Sequence, residues 1–269
     1  MSQPDQIDAL LSRILILAKN LGLPLTTLCH FGSSRYDPES KDIDILIAFA
    51  TPAGATTYNY QKELEAIEAR MKGDFSIPPA KDPFADVRVA SFLQRLRDLS
   101  PFPIEEAFGP ATPDPRGDLQ ARIHLNGPVT DRFLHLYGER FPIHSWVIRN
   151  NSKCYLGDPP PAGTITATEL FHYIELMKDR MNSSSPFLVA KKALQTIGLL
   201  SGEKSCMPPE CVSHAFTSSN PFRITIEKAL QDERISTLGA ESLLELLFLW
   251  ARLMQESGTR YPESWSTSQ

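Results

Sequence analysis

The stretch His30-Phe31-Gly32-Ser33-Ser34-Arg35-Tyr36-Asp37-Pro38-Glu39-Ser40-Lys41-Asp42-Ile43-Asp44-Ile45-Leu46-Ile47 decides how this 269-residue chain is read. A β-rich apolar run from Leu25 to Phe31 stops at Gly32. A polar excursion follows, from Ser33 to Lys41, and a second apolar run then opens with Asp42-Ile43-Asp44. This pattern predicts two strands joined by a short polar loop. Alternate residues of a strand share a face, so Asp42 and Asp44 present two carboxylates side by side. Like charges so close repel unless a cation lies between them. Mg²⁺ takes carboxylate oxygens together with phosphate oxygens and water. The Gly32-Ser33 turn adds backbone that can approach a ligand closely, with N–H and hydroxyl donors for phosphate. Carboxylates beside such a cradle read as a metal–nucleotide site.

Outward from this stretch, residues 4–21 carry apolar side chains at helical spacing (Ile7, Leu10, Leu11, Ile14, Leu17, Ala18, Leu21), which predicts an amphipathic helix. Tyr58 to Lys72 predicts a second helix, with Tyr58 and Tyr60 flanking it. Phe84 to Ala90 reads as a third strand, Val87 and Val89 on one face and Asp86 and Arg88 on the other. Pro101 to Gly117 reads as loop. Residues 118–125 read as a strand broken by Asn126-Gly127-Pro128, and Thr130 as the cap of a helix over 131–140. His124 reads as a structural residue. Trp146 to Ile148 reads as one more strand. Gly157-Asp158-Pro159-Pro160-Pro161-Ala162-Gly163 is the strongest break, since a triple proline fits neither a helix nor a central strand. It divides the chain into an α+β part, 1–160, and a helical part, 161–269. In the latter, Thr166 to Met181 opens with a Thr166-x-x-Glu169 capping box, and 186–200, 221–233 and 240–257 complete four helices that predict a C-terminal bundle.

The segment resembles the signature of the polymerase-beta-like nucleotidyltransferase superfamily: an apolar residue, Gly-Gly or Gly-Ser, a spacer, then Asp-x-Asp between apolar residues. Phe31, Gly32, Ser33, Asp42, Ile43, Asp44 and Ile45 match in order. The spacer is shorter than in many members, and Arg35 is followed by Tyr36 where the family often has Gly. The resemblance covers residues 5–92 by motif and order. It implies a small mixed sheet with flanking helices, and a third carboxylate on a later strand, for which Asp86 is the candidate. Asp42, Asp44 and Asp86 would then be the catalytic residues and the ligands of Mg²⁺ or Mn²⁺. Gly32, Ser33 and Ser34 would hold the triphosphate of an NTP, ATP by family habit. Lys41 and Lys191 are further candidate phosphate contacts, each otherwise a solvated lysine.

Composition sets the partners. Lys and Arg number 27 against 32 Asp and Glu, a formal net charge of −5, so the chain lacks the cationic surplus of a general nucleic-acid coat. Together with the family resemblance, this favours a small molecule or a protein side chain as acceptor over a long polynucleotide. An antitoxin that modifies a partner toxin is one form of that reading. A non-catalytic nucleotide-binding regulator is the rival from a different class. Neither His172 nor His214 has an Arg at the upstream spacing of the helical RNases that accompany some small nucleotidyltransferases. The 22 prolines outnumber the 14 glycines, which predicts stiff loops. The N-terminus has neither the basic start nor the apolar run of a secretory signal. Cys29, Cys154, Cys206 and Cys211 are too few and too scattered for a disulfide scaffold, so the expectation is a cytoplasmic protein in a reducing compartment.

Overall fold

Helix α1 (Gln3–Asn20) starts at Ser2, whose hydroxyl accepts from the Asp5 N–H while the Asp5 carboxylate accepts from the Ser2 N–H. It turns Ile7, Leu10, Leu11, Ile14, Leu17 and Ala18 inward, as their spacing requires. The computed structural model describes residues 2–36, 40–52, 59–74, 87–106, 121–182, 186–202, 221–232 and 236–262. Strands β1 (Leu25–Phe31) and β2 (Asp42–Phe49) follow and pair antiparallel, Leu28 opposite Ile47 and Phe31 opposite Asp44. Next come α2 (Gln61–Lys72), α3 (Val87–Leu99), β3 (Ile104–Glu106) and β4 (Arg122–Thr130). After α4 (Asp131–Arg140) and α5 (Pro142–Asn150), β5 (Lys153–Leu156) closes the sheet, and α6 (Ala167–Met181), α7 (Pro186–Leu200), α8 (Pro221–Asp232) and α9 (Thr237–Ser257) complete the chain. The fold is α+β, with a small mixed sheet of five strands in the order β3-β4-β2-β1-β5 and flanking helices. β4 is parallel to both β2 and β3, while β1 is antiparallel to β2 and β5.

The chain divides into two compact units. The first comprises Met1–Glu63, Pro79–Leu136 and Ser152–Pro161; the second comprises Leu64–Pro78, Tyr137–Asn151 and Ala162–Gln269. The last of these crossings lies between Pro161 and Ala162, and the segments Leu64–Pro78 and Tyr137–Asn151, read as part of 1–160, belong to the second unit. In the first unit, Ile43, Ile45, Ile47 and Phe49 alternate along β2 and share one face. They join Leu28, Ile123 and Leu125 of the neighbouring strands, the inner face of α1, and Val89, Phe92 and Leu96 of α3 in a single core. In the second unit, α6, α7 and α9 bury Leu170, Ile174, Met177, Val189, Leu194, Ile197, Leu243 and Leu247 in a core of their own. The Thr166 and Glu169 box caps α6 as the sequence predicts.

Several expectations are corrected. Residues 87–90, read as strand, begin α3, because Val89, Phe92 and Leu96 are buried at the helical i, i+3, i+7 spacing. Asp86 lies outside the described residues. A three-residue strand, β3, lies within the stretch read as loop. β4 starts at Arg122 and runs through Asn126-Gly127-Pro128 to Thr130 instead of breaking there. A register shift between Leu46 and Ala48 absorbs the extra residue, and Gly127, at φ +126°, passes so near Ile47 that a Cβ would lie 2.4 Å from its carbonyl oxygen. Trp146 to Ile148 belong to helix α5, which Pro142 opens at its first turn. Cys29 and Cys154, opposite each other on β1 and β5, form a disulfide across 125 residues of sequence. Nothing in their spacing marks them as partners. Among the described residues no helix is long and apolar enough to cross a membrane.

Candidate functional site

Because Ile43, Ile45 and Ile47 take the core face of β2, Asp42 and Asp44 are left on the opposite face. The neighbouring strands continue that face. Asp44 stands opposite Phe31 of β1 on one side and His124 of β4 on the other, and His124 stands opposite Glu105 of β3. One polar row therefore crosses three strands, Asp44–His124–Glu105, with Asp42 paired to Arg122 in the next row.

The turn after β1 is built around Asp44. Gly32 has φ +82°, and a Cβ there would lie 2.3 Å from the Asp44 Oδ2. Only glycine combines that backbone with that closeness. The carboxylate thus lies directly against the backbone of the Gly-Ser turn. Ser33 to Arg35 form one short 3-10 turn. The Ser33 hydroxyl is 2.8 Å from that of Ser40, which ties the two ends of the polar excursion together. Ser34 is buried and its hydroxyl sits 2.8 Å from His30 Nε2. Burial, aided by the Arg35 charge, lowers the His30 pKa to about 4, so its ring is neutral at ordinary pH. The Ser34 hydroxyl is therefore engaged with the core side of β1. The Lys41 side chain is exposed, and its carbonyl accepts from the Arg122 N–H at 2.7 Å, which starts the β2–β4 ladder. Lys191 lies on α7, in the second compact unit.

The residues that sequence reading missed are on β3 and β4. His124 Nε2 is 3.1 Å from Asp42 Oδ1, and its Nδ1 is 3.8 Å from Glu105 Oε2. Arg122 donates to Glu105 Oε1 at 3.0 Å. The hydrogen bond to Asp42 raises the His124 pKa, and the Asp42, Asp44 and Glu105 charges add to it against the cost of partial burial. The available signal was the alternation in Arg122-Ile123-His124-Leu125, which puts Arg122 and His124 on the face opposite two core residues. Without knowing that β4 lies beside β2, that alternation names no partner.

As donors, two carboxylates and an imidazole suit a divalent cation. Among the described residues, no three His, Cys, Asp or Glu side chains form a group that could hold a metal ion. Phosphate oxygens and water would have to complete the shell. The second unit has a cavity of its own, about 260 Å³, lined by residues including Arg140, Phe141, His144, Glu169, His172 and Tyr173. Its His144 bonds Tyr137 through Nδ1. Neither a scan against protein-family models nor a search of curated proteins returns a match to this chain.

Proposed function

We propose that this chain is a nucleotidyltransferase of the polymerase-beta-like kind. It moves a nucleoside monophosphate from a nucleoside triphosphate, ATP by default, to a hydroxyl acceptor. The acceptor oxygen bonds to the α-phosphorus as the bond to the β-phosphate oxygen breaks, and pyrophosphate leaves. The observation that carries this reading is the packing of the Asp44 carboxylate against the Gly32 backbone, with Asp42 two residues earlier on the same strand face.

In this reading Asp42 and Asp44 hold Mg²⁺ or Mn²⁺, and Asp86 is the third carboxylate, nearest the acceptor and able to favour its deprotonation. The metal supplies neutralisation of the triphosphate charge when bound. The Gly32 and Ser33 N–H groups and the Ser33 hydroxyl bind phosphate; Ser34, tied to His30, holds the turn in shape. Lys41 and Lys191 are the cationic phosphate contacts of the proposal. The nucleotidyltransferase fold is the finer form of the sheet described above. The helices α6 to α9 are the C-terminal bundle of this reading. The net charge of −5 favours a small molecule or a protein side chain as acceptor. A cytoplasmic setting, where nucleoside triphosphate is supplied, belongs to the same reading, although the Cys29–Cys154 disulfide runs against the reducing compartment expected from the cysteine count.

Calorimetry with the four NTPs, in Mg²⁺ and in EDTA, tests the site: binding that needs the metal supports it, and metal-independent binding overturns it. Pyrophosphate release with acceptor fractions tests the chemistry. Asp44→Asn is expected to lower it about a thousandfold, roughly 4 kcal/mol at about 1.4 kcal/mol per decade, with folding retained because repulsion between Asp42 and Asp44 is relieved. A second reading, a nucleotide-binding regulator or antitoxin-like partner without catalysis, is favoured by one observation: the strand beside Asp44 brings it a histidine, where the resemblance implies a third carboxylate on a later strand. Metal-dependent NTP binding with no pyrophosphate release from any acceptor fraction selects that reading.

A further inference from the structure

We propose that His124 is itself a metal ligand: His124 Nε2 and Asp42 Oδ1 are adjacent donors to one divalent cation, and the imidazole biases the site toward Mn²⁺ over Mg²⁺. This rests on the reading of Asp42 and Asp44 as a metal pair, and adds to it a nitrogen donor and a metal preference.

Three features of the sheet carry it. The first is spacing. Two donors each about 2.1 Å from an ion and at right angles to one another are about 3.0 Å apart. His124 Nε2 and Asp42 Oδ1 are 3.1 Å apart, so rotation of the two side chains brings both donors onto one ion at that spacing. The second is support from behind. The other ring nitrogen, Nδ1, faces Glu105 Oε2 at 3.8 Å, and Arg122 anchors that carboxylate at 3.0 Å. At 3.8 Å the Glu105 approach is a charge contact and not a hydrogen bond, and it sets a carboxylate on the side of the ring away from Asp42, from where it can orient a metal-binding imidazole on closer approach. The third is access. The Asp42 side chain is 67% exposed and that of His124 33%, so the pair is open to an incoming ion. Both residues sit on paired strands, and their separation is set by the parallel β2–β4 register instead of by a loop. Imidazole is a softer donor than carboxylate or water and suits Mn²⁺ and later divalent ions better than Mg²⁺.

The competing possibility is that His124 only orients the Asp42 carboxylate. Pulsed electron paramagnetic resonance separates the two. The full-length protein is loaded with Mn²⁺, alone and with ATP, and examined for nitrogen modulation of the manganese signal. Nitrogen coupling in the wild type, lost in both His124→Gln and His124→Asp, is the expected result. His124→Gln keeps a hydrogen-bonding side chain and should lower Mn²⁺ affinity about tenfold. His124→Asp should narrow the Mn²⁺-over-Mg²⁺ preference. Mn²⁺ bound without nitrogen coupling, and lost in Asp42→Asn, overturns this proposal while leaving the carboxylate reading in place. So does coupling that persists in both His124 variants. Failure of the wild type to bind Mn²⁺ under either condition overturns both.

Discussion

Gly32 does two things that a side chain would prevent. Its φ of +82° lies in the left-handed region, and the space where a Cβ would stand is taken by the Asp44 carboxylate. Gly32→Ala therefore combines backbone strain of roughly 1–2 kcal/mol with displacement of a proposed ligand. Gly258, just past the end of α9, isolates the first effect: its φ is +68°, but nothing lies within 4 Å of the added Cβ. Both substitutions should lower the melting temperature, at roughly 2–4 °C per kcal/mol. Only Gly32→Ala should weaken metal-dependent NTP binding, by about tenfold or more if a charged ligand is pushed aside. Equal NTP affinity in the two variants, measured by calorimetry, would show that Asp44 does not serve the nucleotide.

At the scale of elements, β4 hands over to α4 through one buried hydroxyl. Thr130 caps the helix by accepting from the Phe133 N–H at 3.1 Å, and the same oxygen is 2.8 Å from the Tyr60 hydroxyl. Tyr60 is thereby part of the core, its ring packed 5.8 Å from that of Phe133. Thr130→Val keeps the shape but strands two buried polar groups, which should cost about 2–6 kcal/mol at about 1–3 kcal/mol per unsatisfied group. Thr130→Ser should recover most of it. Chemical denaturation of the three proteins checks this, and a Val variant as stable as wild type would contradict the assignment. The Thr130 cap, like β1 and β2, was legible in the sequence because each depends on contacts close along the chain or on simple alternation. Strand β4 was not. Asn126-Gly127-Pro128 carries every local sign of a break, and only the bulge against Leu46 and Ala48 of β2, a distant strand, lets the ladder continue. The candidate site divides the same way. Gly32, Asp42 and Asp44 lie within one local pattern, whereas His124 joins them through a pairing 80 residues away. Val87 and Val89 alternate as a strand does, and it is Phe92 and Leu96, beyond that stretch, that join Val89 on one helical face.

For the whole molecule, acid is the revealing condition. Each compact unit keeps one histidine neutral by burial: His30 in the first, with its pKa near 4, and His144 in the second, near 3, where Lys192 and Arg180 add to the effect. Both values lie below the ordinary 6.5 of an unfolded chain. Above that value neither histidine costs stability. As the pH falls below it, the unfolded chain takes protons that the folded chain refuses, and stability is lost from about 6.5 downward, until the folded groups also titrate near 4 and 3. For His30 the full loss is roughly 3 kcal/mol. Thermal melts between about pH 7 and pH 4 should fall less steeply for His30→Gln than for wild type; parallel curves would mean the ring is not kept neutral.

The Cys29–Cys154 bond gives the molecule a covalent topology that its linear sequence conceals. Residues 29 to 154 form a closed ring, from which the first 28 residues and the last 115 extend as two tails rooted at neighbouring points on β1 and β5. A single cut anywhere inside the ring opens it without releasing anything. Such a nicked chain keeps its full mass, plus one water, and separates into two pieces only when a reductant is added.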